Sequence, residues 1–305
     1  MRTKDLLSLL NRPEYLLHPE AILRRLVSRP ATGGLETVRL HWGLPLKVDT
    51  RESIGWGIAC CGLIDISVIE AIFRLTDPSD IFLDVGANIG LMSSAALAAG
   101  AGRVIAFEPN PEVFAQLSEN ISLWAAARPP IAGRISAFQK AVSDKIATAL
   151  LRIPRRGYQS NHGLASLEAI GEVEGFTTAE VPTTTLAQIV EGCGAPIGVL
   201  KIDIEGHELT AFAGSREMLR AGHVRDILFE NHEGPHAQLH LLLAELGYSI
   251  LGLNQTLFSP KLLDSKASQG FLYPRETTNF LATRDPARAH RRISGGGFRC
   301  LQSSN

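Results

Sequence analysis

The chain has 305 residues, 45% of them hydrophobic and 20% charged, which supplies a packed core and carries no signature of disorder. Thirty Lys and Arg against 31 Asp and Glu leave a formal net charge of −1, so no overall field draws the chain to nucleic acid or to an anionic membrane. The four cysteines, Cys60, Cys61, Cys193 and Cys300, fit neither a zinc ribbon nor a disulfide framework and read as buried or idle thiols.

Residues 1–30 space their apolar positions helically (Leu6, Leu9, Leu10, then Ile22, Leu23, Leu26, Val27) between Pro13, Pro19 and Pro30, which predicts short helices. Asp5 and Pro13 interrupt this start too early for a signal-peptide core. The apolar stretch 91–101 falls short of the ~20 residues that span a bilayer, so a cytoplasmic protein without a membrane span is expected. Thr37 to Asp49 alternates through Val38, Leu40, Trp42, Leu44, Leu46 and Val48, the pattern of a hairpin or edge strand. Ser67 to Leu75 is helical and ends at the turn from Thr76 to Asp80.

From Ile81 the rhythm becomes short apolar runs separated by helical stretches. Strands are predicted at 81–85, 103–107, 135–142, 199–203, 226–230 and 248–253, with helices at 91–99, 111–126, 209–221 and 235–246. That alternation means βαβ crossovers and a largely parallel sheet, an α/β fold with helices on both faces. Between Asp144 and Thr185 the helical rhythm lapses, and 148–153 and 180–184 read as extra strands of an inserted hairpin, a candidate active-site rim. The chain is thus expected as an N-terminal helical and β extension (1–70), a main domain (71–285) with the insertion at 144–185, and a flexible tail (286–305).

Asp84-Val-Gly86-Ala-Asn88-Ile-Gly90 follows an apolar strand and opens into a small-residue helix, the setting of a nucleotide-cofactor loop. A dinucleotide fingerprint would need glycine where Asn88 and Leu91 stand, so the match to an NAD-type loop fails. Glu108, twenty-four positions after Asp84, ends the next strand, where a carboxylate can accept both hydroxyls of a ribose. Two acids at neighbouring strand ends favour a cationic, pyrophosphate-free cofactor, S-adenosylmethionine.

Four stretches together resemble the FkbM family of methyltransferases: Phe82–Gly90, Ala106–Pro111, Ala141-Val-Ser-Asp144 and Leu200-Lys-Ile-Asp-Ile-Glu-Gly-His-Glu208, the last the most specific. The resemblance covers roughly 50 to 285 and implies a Rossmann-like class I methyltransferase with a seven-stranded, mostly parallel sheet whose last strand, 279–283, runs antiparallel. It implies that Asp84, Gly86, Asn88 and Gly90 form the cofactor loop, that Glu108 holds the ribose and that Ala141 and Val142 border the adenine. Members tend to methylate hydroxyls of sugars or polyketide-derived compounds, so the implied partner is a small-molecule acceptor. Asn161-His162-Gly163 also resembles a family loop, which marks Asn161 as a candidate acceptor contact.

Asp203, Glu205, His207 and Glu208 sit where an apolar strand gives way to a helix, the sheet edge at which open α/β folds bind ligands. Methyl transfer to oxygen needs two aligned reactants and removal of a proton. Asp203 is the expected organiser and Glu205 or His207 the expected base, against the alternative that Glu205 and Glu208 cap the helix. Glu230, Asn231 and His232 end another strand and could face the acceptor; Asp203, His207 and Glu230 could alternatively form an oxygen-rich Mg²⁺ site. His232-Glu-Gly-Pro-His236 matches the zinc-protease pattern only formally, because Pro235 and Gly234 would break the helix that chemistry needs. His236 and His240 read as a solvated helix face, and Trp42, Trp56 and Tyr158 as core or surface packing residues that could otherwise stack on a sugar. The competing functions are an NAD-linked oxidoreductase and a non-catalytic module of the same fold.

Overall fold

The computed structural model describes residues 33–154, 167, 175–232, 237–264 and 278–302. The helices expected in 1–30 therefore lie outside the described residues. An antiparallel hairpin of β1 (Leu35–Arg39) and β2 (Pro45–Asp49) comes first, then helices α1 (Ser53–Cys61) and α2 (Ile66–Leu75). The alternation that follows runs β3 (Ile81–Val85), α3 (Leu91–Ala99), β4 (Arg103–Phe107), α4 (Pro111–Ala127) and β5 (Ile135–Phe138). After an intervening small sheet come α5 (Leu186–Cys193), β9 (Ile197–Ile202), α6 (Glu208–Ala213), α7 (Arg216–Arg220), β10 (Val224–Glu230), α8 (Gln238–Glu245) and β11 (Ser249–Gln255). The last elements are β12 (Pro260–Asp264), β13 (Asn279–Thr283) and α9 (Pro286–Ile293).

The main sheet has the order β12-β11-β13-β10-β9-β3-β4-β5. Strands β10, β9, β3, β4 and β5 pair in parallel, and β13 is antiparallel to both β10 and β11. Residues 279–283 thus form the antiparallel strand that was expected, but the sheet has eight strands and not seven. The eighth, β12, folds back on β11 as an edge hairpin closed by the Thr256 N–H on the Ser259 carbonyl. Five residues led by a proline give no readable alternation, yet an edge position tolerates proline because one side of the strand needs no partner.

Successive strand residues feed opposite faces. Phe82, Val104, Val199 and Leu228 pack with the hairpin and α2–α4, while Leu83, Ile105, Leu200 and Ile227 pack with α5, α6 and α8. The hairpin is part of the first core: Leu40, Trp42, Leu44, Leu46 and Val48 are buried in it, and the Trp124 indole N–H donates to the Pro45 carbonyl. No helix among the described residues is long and apolar enough to cross a membrane.

Three expectations change. Residues 135–142 are not one strand: after β5 the chain turns, and β6 (Ala141–Val142) leaves the main sheet to pair with β8 (Phe176–Thr184), itself antiparallel to β7 (Thr148–Pro154). The helix expected over 209–221 breaks at Gly214, where the chain passes so close to the Asp144 backbone that a Cβ has no room. The segment 286–302 is not a flexible tail. Helix α9 buries Ala289 and Ile293, Phe298 and Cys300 follow into the core, and the Glu70 carboxylate accepts the N–H groups of Arg299 and Cys300. Its basic, Gly-rich sequence reads as frayed because the partners that order it, Asp77, Asp226 and Glu70, are distant in the chain.

Candidate active site

Strand order reverses at β3, with β4 and β5 on one side and β9 and β10 on the other, so the carboxyl ends of β3, β4 and β9 open a crevice that no crossover covers. A cleft of about 1010 Å³, its mouth included, lies there. Gly86, Asn88, Glu108, Ala141, Val142, Lys201, Asp203, Glu205 and His207 line it together with apolar side chains of α1, α3 and β4.

The turn after β3 is shaped by its own packing. Gly86 has φ +72°, and a Cβ on it would collide with the Asp203 carbonyl, so glycine here lets two strand-end loops touch. Asn88 takes φ +50°, a left-handed conformation that asparagine tolerates, and its own Oδ1 accepts the Ile89 N–H at 2.8 Å. Gly90 does not line the cleft: at φ +96° its missing Cβ makes room for Trp124 and Leu117 of α4.

Glu108 closes one wall. Its Oε2 accepts the Asn88 N–H and its Oε1 the Asn110 N–H, each at 2.9 Å, which fixes the carboxylate and ties the β4 end to the β3 turn. Burial pushes this carboxyl up to about 7, against the two N–H donors and the Lys201 charge, which pull it down. Asp84 lies beneath the wall and does not line the cleft. It is fully buried, with Oδ2 accepting the Ser93 hydroxyl at 2.6 Å and Oδ1 holding no hydrogen bond, 3.8 Å from the Lys201 ammonium. Burial raises its carboxyl, and Lys201 and Ser93 oppose that.

Lys201 is the residue that sequence reasoning passed over. It occupies the fifth position of an otherwise apolar, fully buried strand, and that lone cation was the available signal. Its Nζ donates to the Gly86 carbonyl at 2.7 Å and lies 3.7 Å from Asp203 Oδ2. Burial opposes its charge, but Asp203, Asp84, Glu108 and Asp65 outweigh that and hold it above the ordinary lysine value.

Beyond β9 the candidate acids separate. Glu208 braces the loop that leads into α6: buried, its Oε1 accepts the Ile204 N–H at 2.7 Å. Glu205 stands on the rim at φ +53°, a strained setting for a non-glycine residue; partial desolvation of its carboxyl and the neighbouring Asp203, Glu230 and Glu208 push it up to about 7. His207 Nε2 lies 2.9 Å from the Ser143 hydroxyl, which itself donates to Asp144, so the imidazole is tied to the strand that carries Ala141 and Val142.

Glu230 and His232 pair at 3.2 Å and line a second groove, which shares Asp203 and Glu205 with the cleft. Among the described residues no group of three or more His, Cys, Asp or Glu could hold a metal ion, so Asp203, His207 and Glu230 do not assemble the Mg²⁺ site weighed from sequence. Asn161, Tyr158 and residues 233–236, hence His236 and the protease-like pattern, lie outside the described residues. His240 is no solvated face: it is buried edge-on against Phe280, with Nδ1 2.9 Å from the Asn231 amide. Trp42 is core, its indole N–H on Ser94 Oγ.

The family model of the methyltransferase FkbM domain matches residues 84–250, more than half of the chain. The chain belongs to the FkbM methyltransferase family. A 31-O-demethyl-FK506 methyltransferase, FkbM, of Streptomyces tacrolimicus is 31% identical over 209 residues, 60% of this chain and 77% of that protein. The hexuronic acid methyltransferase AglP of Haloferax volcanii is 27% identical over 167 residues, 55% of this chain, and the match spans 62% of that protein's length. A crystal structure of methyltransferase FkbM from Methylobacillus flagellatus KT aligns with 68% of this chain and 44% of its own, at 16% identity and a TM-score of 0.42. The FkbM match begins at Asp84 and ends within β11. It therefore holds the β3 turn, Glu108, Lys201 and the Asp203–Glu208 stretch, and leaves out the β1–β2 hairpin and α9.

Proposed function

We propose that this chain is an S-adenosylmethionine-dependent methyltransferase that methylates a hydroxyl of a small-molecule acceptor, sugar-bearing or polyketide-derived. The observation that carries the reading is Glu108: a carboxylate at the cleft wall, held by two backbone N–H groups, each oxygen keeping a second lone pair for a ribose hydroxyl. The rest of the donor set fits the same cofactor. Phe107, Ala141, Val142 and Leu151 give apolar walls for a purine, and the acids Asp203 and Glu205 stand toward the opposite, cationic part. Gly86 and Asn88 shape the intervening turn, while Asp84 acts from behind it through Lys201. S-adenosylmethionine supplies, when bound, a methyl group open to in-line attack by oxygen.

The chain's own share is to align the acceptor and remove its proton. Glu205 suits the removal of the proton, because it sits where cleft and groove meet and its carboxyl, near 7, is largely ionised at slightly alkaline pH. Of the two bases weighed from sequence, His207 is engaged through Nε2 with Ser143. Asp203 and the Glu230–His232 pair line the acceptor side. The groove's acids Asp203, Glu205, Glu208 and Glu230 disfavour a polyanionic acceptor.

Calorimetric titration with S-adenosylmethionine, followed by a screen of glycosylated and polyketide-type acceptors with methyl-labelled cofactor, tests this. Turnover should rise with pH through about 7 and level off as Glu205 ionises. Glu205→Gln should lower kcat by about 10²–10⁴-fold and remove that acid limb. A chain that takes up no S-adenosylmethionine would refute the function, and an unchanged pH profile in Glu205→Gln would refute the base.

A further inference from the structure

We propose that Lys201 is the positioning residue of this cleft: its ammonium, seated on buried Asp84, ties the Gly86 carbonyl of the β3 turn to the Asp203 carboxylate of the β9 end. The inference deepens the cofactor reading above and rests on it. Its grounds are geometric. The Nζ is 2.7 Å from Gly86 O, 3.8 Å from Asp84 Oδ1 and 3.7 Å from Asp203 Oδ2, and the side chain is only 9% exposed. Through it the layer beneath the cleft wall reaches the wall itself.

The charged groups around this ammonium come from every side. Asp65 precedes α2, Asp84 lies in β3, Glu108 follows β4, and Asp203 and Glu205 follow β9. Asp84 in turn faces Lys201, Ser93 on α3, and at longer range Asp203. One cation among five carboxylates cannot be withdrawn without leaving Asp84 buried and uncompensated, which is the costly arrangement for an ion. The same surroundings keep Lys201 protonated, so it holds position and abstracts no proton. Because Gly86 packs directly on the Asp203 backbone, the two loops have no slack. A tie that slips there alters the spacing between the turn and the acidic end of the cleft.

The test uses the full chain, ligand-free and with S-adenosylmethionine, as wild type, Lys201→Met, Asp84→Asn and the double variant. Lys201→Gln is added because it keeps a donor for Gly86 if the methionine variant does not fold. In the ligand-free protein, carbon-13 carboxyl NMR should find one aspartate resonance, missing in Asp84→Asn, whose titration midpoint moves upward by about one unit or more when Lys201 is replaced. In calorimetry each single variant should bind S-adenosylmethionine about tenfold or more weakly, and the double variant no more weakly than the worse single, since all break the same tie. Single effects that multiply in the double variant, or an Asp84 midpoint indifferent to Lys201, would overturn the proposal. Should the wild type take up no S-adenosylmethionine, the cofactor reading falls and the carboxyl titration alone decides whether the tie exists.

Discussion

Glu108 should make the ligand-free protein lose stability as pH rises. Its carboxyl stands at about 7 in the fold against an ordinary 4.5, because burial outweighs the two N–H donors. Between these values the unfolded chain has released a proton that the folded chain still holds. The stabilising contribution is therefore complete below about 4.5 and is lost as pH climbs through about 7. A displacement of that size corresponds to about 3 kcal/mol. Glu108→Gln removes the titration but also one of two acceptors, because a single amide oxygen cannot serve both Asn88 N–H and Asn110 N–H. That adds a pH-independent cost of about 1–3 kcal/mol. Urea unfolding of both proteins between about pH 5 and about pH 8 should show curves that converge with rising pH, the variant being the flatter. The groups Asp84, Glu205, Glu208 and Glu230, also raised by burial, slope the same way in both proteins and leave the difference to Glu108. Parallel curves would refute the account of why this carboxyl is displaced.

Two further outcomes concern residues that do not line the cleft. Gly90→Ala, which forces a Cβ to within 2.6 Å of Trp124 and 2.7 Å of Leu117 at φ +96°, should cost about 2 kcal/mol or more by thermal unfolding. The folded fraction should keep its S-adenosylmethionine affinity; a selective loss of affinity would place Gly90 back in the cofactor loop. Glu70→Gln should cost about 3–5 kcal/mol in denaturant unfolding, because it leaves Arg74 buried beside a neutral amide and weakens the acceptor for the Arg299 and Cys300 N–H groups. A change below about 1 kcal/mol would mean that residues 286–302 contribute little to the core.

The amino-acid sequence determined the alternation of strand and helix, the parallel sheet with its antiparallel strand at 279–283, and the crevice-forming pair of strand ends at Val85 and Phe107. Those features are written in local periodicity and in turn residues, which act within a few positions of themselves. It also marked Glu108, Asp203 and Glu205, because acids at the ends of apolar strands stand out against their neighbours. Only the tertiary structure decided what long separations bring together. Lys201 meets Gly86 across 115 positions, His207 is claimed by Ser143, Gly90 yields its space to Trp124, and the basic tail is ordered by Glu70 and Asp77. A buried charge or an empty Cβ position takes its meaning from the group packed against it, and no local pattern names that group.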